Sequence, residues 1–183
     1  MTTADSMTLA AKLGQLLIQK KWSVTTAESC TGGGIGYWLT AVPGSSAYVD
    51  RGFITYSNKA KQQLLAVRSA TLLQFGAVSE ETVREMAEGA AKAAGADMAI
   101  AVSGIAGPDG GSVYKPVGTV CFGFYLNGNV ASSHLVFAGD RQQVFLHLEV
   151  QLIGAEASDG DLDPVGVFAR RLDVVGRPAV LLA

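Results

Sequence analysis

The chain has 183 residues, 49% of them apolar and 16% charged, and its 19.0 kDa suits one globular domain with a sizeable core, which excludes a disordered scaffold. Fourteen basic against sixteen acidic side chains leave a net charge of -2, so no bulk positive field exists to condense onto a nucleic-acid backbone. No apolar run reaches the roughly 18 residues of a membrane span, the polar Met1 to Ser6 is no leader peptide, and the two cysteines, Cys30 and Cys121, form no CxxC or Cys/His cluster; a cytoplasmic chain with no metal and no nucleic-acid or membrane partner is expected.

In chain order, Leu9, Leu13, Leu16 and Leu17 recur at helical spacing between Thr8 and Lys21, and β-branched residues then mark a strand over Ser23 to Ala27. Glu28 to Gly34 follows as a tight turn, with Ile35 to Val42 as a helix ended by Pro43-Gly44. Tyr48 to Tyr56 reads as a strand, and Ser57 or Asn58 caps a helix running to about Leu65. A turn rich in small residues leads to a helix that opens at Ser79, carries Glu80 and Glu81 in its first turn and closes at Gly95. Asp97 to Ser103 is a buried strand, Gly104 to Pro116 a loop, and Val117 to Leu126 a strand that Asn127-Gly128 turns into Asn129 to Phe137. The expected fold is a three-layer α/β/α sandwich on a mixed, mostly parallel sheet of about five strands that includes one antiparallel hairpin. Gln142 to Ile153 reads as one more helix, after which the periodicity decays. The expected division is a domain over 1–154 and an atypical, poorly ordered tail over 155–183.

Open α/β sheets place ligand sites at the carboxy ends of their strands, and three loops fall there. In Glu28 to Gly34, a sharp turn into a helix exposes the Ser29 hydroxyl and points backbone N–H groups the same way, which can supply a nucleophile and an oxyanion hole. The plainer reading is that Ser29 or Thr31 only caps the helix. The glycines do not match GxGxxG, since position 37 is Tyr, which disfavours a dinucleotide-dependent oxidoreductase. Neither His134 nor His147 lies on a loop at that end of the sheet, so a serine there looks to lysine for its base. Lys59 and Lys61 follow a strand end; by themselves they read as a solvated helix face, and either serves as a base only if desolvation or a neighbouring cation lowers its pKa. Cys30 is a rival nucleophile, because a helix amino terminus lowers a thiol pKa, or else a small residue packed beneath the turn. Ser103 to Gly111 lets the backbone approach a ligand, and Arg141 in Gly139-Asp140-Arg141 suits a phosphate or carboxylate.

Six strings occur in order: Thr26-Ala27-Glu28-Ser29-Cys30-Thr31-Gly32-Gly33, Pro43-Gly44-Ser45-Ser46, Tyr56-Ser57-Asn58 with Lys61, Gly76-Ala77-Val78-Ser79, Ser103-Gly104-Ile105-Ala106-Gly107-Pro108 and Lys115-Pro116-Val117-Gly118-Thr119-Val120. Together, over about residues 8 to 141, they resemble the CinA carboxy-terminal domain family, which includes stand-alone nicotinamide-nucleotide amidases. The resemblance implies hydrolysis of the carboxamide of nicotinamide mononucleotide to nicotinate mononucleotide and ammonia, without metal or cofactor, by a homo-oligomer with a dimer favoured. By position, Ser29 is the implied nucleophile, Lys61 the base and Tyr56 the residue that orients them. The N–H groups of Cys30, Thr31, Gly32 and Gly33 are implied to hold the oxyanion, Ser103, Gly104, Ala106 and Gly107 to line the pocket, and Arg141 to meet the phosphate or ribose. The competing reading is a catalytically silent nucleotide-binding or interaction domain of the same family. From Phe145 the charged helix that usually closes the domain is replaced by an apolar stretch, consistent with a diverged extension or a shifted reading frame. The larger amino-terminal domain of longer members is also absent, which suggests the stand-alone form.

Overall fold

The computed structural model describes residues 3–144. Its elements are α1 (Thr3–Lys20), β1 (Val24–Glu28), α2 (Gly34–Thr40), β2 (Phe53–Ile54), α3 (Asn58–Leu65), α4 (Ser69–Phe75), α5 (Glu80–Ala94), β3 (Met98–Gly104), β4 (Thr119–Leu126) and β5 (Asn129–Val136), with a 3-10 turn at Ser45–Ala47. Residues 141–144 are helical; the rest of the helix expected over Gln142 to Ile153, and the tail over 155–183, lie outside the described residues.

The strands form one mixed sheet in the order β2-β1-β3-β4-β5. β1 lies between β2 and β3, parallel to both, whereas β3/β4 and β4/β5 are antiparallel. The Asn127-Gly128 hairpin is therefore joined by a second antiparallel connection, because the loop from Ile105 to Gly118 returns the chain to the sheet end it has just left.

Period-two alternation divides the sheet between two cores. Met98, Ile100 and Val102 of β3 with Val120, Phe122 and Phe124 of β4 pack against Leu13 and Leu17 of α1 and Ile35 and Leu39 of α2. The other face offers small residues, Ala27, Ala99, Ala101 and Cys121, to Val83, Met86, Ala87, Ala90 and Ala91 of α5 and Leu65 of α3. That smallness lets α5 sit close to the sheet: a Cβ added at Gly123 would overlap the Val83 carbonyl. The helix itself forms as the sequence indicates, with the Ser79 hydroxyl accepting from Thr82 N–H and Gly95 in the left-handed region at its end.

Two expectations are corrected. The strand over Tyr48 to Tyr56 shrinks to Phe53–Ile54 plus a single bridge between Val49 and Val24. The Thr25 hydroxyl takes the Arg51 carbonyl at 2.8 Å, a side-chain bond that competes with the ladder at this point. The turn rich in small residues contains α4, which has no side-chain cap of its own. A carboxylate from α5 supports it instead: Glu85 accepts from Arg68 N–H at 2.8 Å and from the Thr71 hydroxyl at 2.7 Å. That support is seventeen positions away for Arg68, so local sequence does not announce it.

Candidate active site

β1, β2 and β3 end at the same edge of the sheet, and the loops after them build a cleft of about 280 Å³ lined by Ser29, Cys30, Tyr56, Lys61, Ser103 and Arg141, among others. Ser29 is the first residue past β1. Its N–H donates to Val102 O at 3.0 Å, which continues the β1/β3 pairing by one residue and fixes where the side chain emerges.

Glu28 shapes the turn behind it. This carboxylate is 1% exposed and accepts from the Thr31 hydroxyl at 2.6 Å and from the N–H groups of Gly33, Ile35 and Gly36 at 3.1, 3.0 and 2.8 Å. The amino end of α2, an ordinary anion site, is thus filled by the chain's own carboxylate. Gly32 N–H is engaged as well, donating to Ser29 O at 3.2 Å. Thr31, Gly32 and Gly33, expected to hold substrate, belong to the turn's internal bonding and do not line the cleft. The N–H groups of Cys30 and Thr31 are the donors of this turn without a backbone or carboxylate acceptor among the described residues.

Lys61 meets Ser29 from α3. That helix starts at Ser57, whose hydroxyl accepts from Ala60 N–H at 3.0 Å, and its one buried lysine faces the sheet while Lys59 is exposed. Lys61 is 1% exposed; its Nζ lies 2.9 Å from Ser29 Oγ and donates to Thr55 O at 2.7 Å. The Thr55 peptide is itself fixed by its N–H to Glu28 O at 2.7 Å. Burial disfavours the ammonium and lowers the Lys61 pKa to about 8. A neutral amine in contact with a serine hydroxyl is therefore accessible near neutral pH, the condition for a serine-lysine pair.

The expectation that a helix terminus lowers the Cys30 thiol pKa is corrected. Desolvation pushes it up to about 12, and the charges of Lys61 and Arg141 oppose that without prevailing. Cys30 packs beneath the turn, so close to β3 that a Cβ at Gly104 would lie 3.1 Å from its sulfur and 2.8 Å from Val120 Cγ2.

The other sequence candidates spread around the rim. Tyr56 is 62% exposed, and its hydroxyl accepts from Arg141 Nη2 at 2.9 Å. Fixing Lys61, the role expected of Tyr56, falls to the Thr55 carbonyl. Arg141 Nη1 donates to Gly107 O at 3.0 Å, so the guanidinium ties the β2–α3 loop to the loop after β3. Ser103, Gly104, Ala106 and Gly107 all line the cleft, and the Ser103 hydroxyl donates to Ala77 O at 2.8 Å. Sequence reasoning missed Glu28 and Thr55 as supports and Ala77, Val78 and Asp109 as walls. Glu28 stood in the same string as Ser29, and three N–H groups at a helix start need an acceptor, which is the signal that pointed to it.

Among the described residues, larger clefts of about 470 Å³ and about 370 Å³ lie beside the start of α5 and between α2 and the Ser45–Gly52 segment. Neither brings a buried hydroxyl to a buried amine, so chemistry rather than volume selects the Ser29 cleft. Among the described residues no group of three or more His, Cys, Asp or Glu side chains could hold a metal ion, and no helix is long and apolar enough to cross a membrane.

The chain is similar to known proteins over most of its length. The nicotinamide-nucleotide amidohydrolase PncC of Enterobacter agglomerans is 57% identical over 143 residues, 78% of this chain and 87% of that protein. The protein of the same name from Escherichia coli K12 is 54% identical over 145 residues, 79% of this chain and 88% of its own. In three dimensions, the competence/damage inducible protein CihA of Agrobacterium tumefaciens superposes with a TM-score of 0.80 at 42% identity, covering 84% of this chain and 94% of that one. The family model described as the CinA C-terminal domain matches residues 6–151, a span that contains every residue of the cleft, and the chain belongs to the CinA C-terminal domain family.

Proposed function

We propose that the chain hydrolyses the carboxamide of nicotinamide mononucleotide, releasing ammonia and nicotinate mononucleotide, in the recycling of pyridine nucleotides. The names of relatives more than half identical over most of their length support the substrate. The observation that carries the mechanism is the 2.9 Å approach of Lys61 Nζ to Ser29 Oγ.

In this reading neutral Lys61 takes the Ser29 proton as Oγ bonds to the amide carbon. The carbonyl electron pair moves onto oxygen, and the resulting oxyanion meets the N–H of Cys30, the residue after Ser29 that lines the cleft. The Lys61 ammonium then returns its proton to the departing nitrogen, the C–N bond breaks, and ammonia leaves an acyl ester on Ser29. Water, deprotonated by Lys61, attacks that ester; its collapse restores the serine hydroxyl and frees the carboxylate. Arg141 faces the phosphate, since the amino end of α2 is occupied by Glu28, and Ser103 to Gly107 forms the pocket wall. Tyr56 contributes through Arg141, whose guanidinium its hydroxyl accepts.

The two cysteines are buried and unpaired, which fits the reducing cytoplasm as the place of action. A homodimer is the assembly we expect, and light scattering coupled to size exclusion decides it. The activity itself is tested by ammonia release from nicotinamide mononucleotide: wild type turns over, and Ser29→Ala falls at least about a thousandfold. Full activity in that variant sinks the assignment. Calorimetric binding of the nucleotide by wild type without turnover would indicate a silent binding domain instead.

A further inference from the structure

Two of the three sequence strings that take no part in the chemistry above are Gly76-Ala77-Val78-Ser79 and Lys115-Pro116-Val117-Gly118-Thr119-Val120. The structure joins them. Lys115 Nζ donates to Phe75 O at 2.8 Å and to Val78 O at 2.7 Å. The Ser79 and Thr82 hydroxyls donate to Gly76 O at 3.0 and 2.8 Å, and the Ser103 hydroxyl donates to Ala77 O at 2.8 Å. Four successive carbonyls are thus each held by a side chain. Closing α4 does not require this, because Gly76 N–H already donates to Leu72 O at the helix end and exposed terminal carbonyls are ordinarily met by water. Gly76 has φ 79, which only glycine adopts without strain, so the turn is shaped as well as tied.

Ala77 and Val78 line the same cleft as Ser29 and Lys61. Lys115 sits on the loop from Ile105 to Gly118, whose earlier residues form another wall of that cleft. Its own backbone is fixed there, with Ser112 N–H donating to Lys115 O at 2.8 Å and Lys115 N–H to Ser112 Oγ at 3.1 Å. One ammonium therefore spans two walls that are distant in sequence.

We propose that Lys115 is a positioning residue: it latches the Phe75–Val78 turn to the loop after β3 and so fixes the wall against which the heteroaromatic ring of the substrate rests. This deepens the amidase reading and rests on it. A flat ring gains dispersion and burial only from a wall held at contact distance. The proton transfer between Ser29 and Lys61 is held separately, by Val102 O and Thr55 O. Loosening the latch accordingly weakens ring binding and leaves the chemical step nearly intact, a loss of uniform binding that appears in KM.

The test is steady-state hydrolysis of nicotinamide mononucleotide by Lys115→Met and Lys115→Arg. In Lys115→Met, KM rises about tenfold with kcat within about twofold, well short of the roughly hundredfold cost of misplacing reacting atoms by about 1 Å. Lys115→Arg, whose fork also offers several donors, returns KM to within about threefold of wild type. An unchanged KM in Lys115→Met, or a fall in kcat at unchanged KM, overturns the proposal. Lys115→Gln takes the same measurement if the methionine variant is not recovered folded. If wild type does not hydrolyse this nucleotide, the amidase reading fails, and calorimetric affinity for nicotinate mononucleotide still decides the latch: about tenfold weaker in Lys115→Met supports it, unchanged overturns it.

Discussion

Lys61 Nζ stands 2.9 Å from Ser29 Oγ although the two residues are 32 positions apart, and the lysine is buried with its pKa lowered to about 8 by desolvation. The active form is the neutral amine, so activity must rise with pH. For nicotinamide mononucleotide, kcat/KM increases about tenfold per pH unit from pH 6, bends near the Lys61 pKa of about 8 and levels above it, because this parameter reports ionisations of the free enzyme. A pH–rate profile between pH 6 and 9.5 checks this. A flat profile, or one that falls with pH, removes Lys61 as the base.

The same burial makes Lys61 a liability for the fold. Its folded pKa, about 8, lies below its ordinary value of 10.5, so between those pH values the unfolded chain binds more protons and stability rises with pH. Below about 8 both states hold the proton and the penalty is at its full size. Replacing the buried ammonium by an apolar side chain of similar length removes that penalty. Lys61→Met is expected to be more stable than wild type by about 1–3 kcal/mol at pH 7, with the gain shrinking toward pH 10 and activity abolished. Urea unfolding at the two pH values reads the difference.

Cys30 separates the thiol from the hydroxyl mechanism. With its pKa pushed up to about 12 by burial, the thiolate is a negligible species at the pH where Lys61 is neutral. Cys30→Ala should keep kcat within about threefold and lose about 1 kcal/mol of stability from the small cavity left beneath the turn. A dead Cys30→Ala enzyme beside an active Ser29→Ala one would assign the chemistry to sulfur.

The parts of this site legible in the sequence were those fixed by local chemistry. Ser29 after a strand, Ser57 at a helix start and the glycine loop after β3 announce themselves through turn and capping preferences. Whether Lys59 or Lys61 faces inward is not legible in composition: α3 is eight residues long, too short for periodicity to identify its buried side, and only packing against α5 and the turn at Ser29 decides it. The resemblance supplied Lys61 where the spacing did not. Hidden altogether were interactions closed over distance, such as Glu85 supporting α4 and Lys115 tying Phe75 and Val78, because nothing next to a carbonyl shows which remote side chain will reach it. The long strand expected over Tyr48 to Tyr56 failed for a related reason, as the Thr25 hydroxyl takes the Arg51 carbonyl.

Glu28 is the residue on which the nucleophile's turn depends. Its carboxylate accepts four hydrogen bonds while almost wholly buried. Glu28→Gln keeps the shape but turns one oxygen into a donor, which faces N–H groups that also donate. Unpaired buried donors cost about 1–3 kcal/mol each, so a stability loss of about 2–4 kcal/mol is expected by denaturant titration. The bend in the pH–rate profile should stay near the Lys61 pKa of about 8, since the carboxylate acts on the turn and not on the lysine. Wild-type stability in Glu28→Gln contradicts this account.

Arg141 is the cation we assign to the substrate phosphate, and its contacts make that assignment testable apart from the chemistry. It bonds Gly107 O and the Tyr56 hydroxyl at the rim, away from the buried Ser29–Lys61 pair. A hydrogen bond to a charged group contributes about 1.5–3 kcal/mol, equivalent to about ten- to a hundredfold in affinity. Arg141→Met should therefore raise KM for nicotinamide mononucleotide by that factor at nearly constant kcat. Nicotinamide riboside carries the same carboxamide and sugar without the phosphate, and its kcat/KM should be much lower in wild type and almost unchanged by the substitution. If the riboside loses as much as the mononucleotide does, Arg141 acts by holding Tyr56 and the loop after β3 together, and the phosphate is recognised elsewhere.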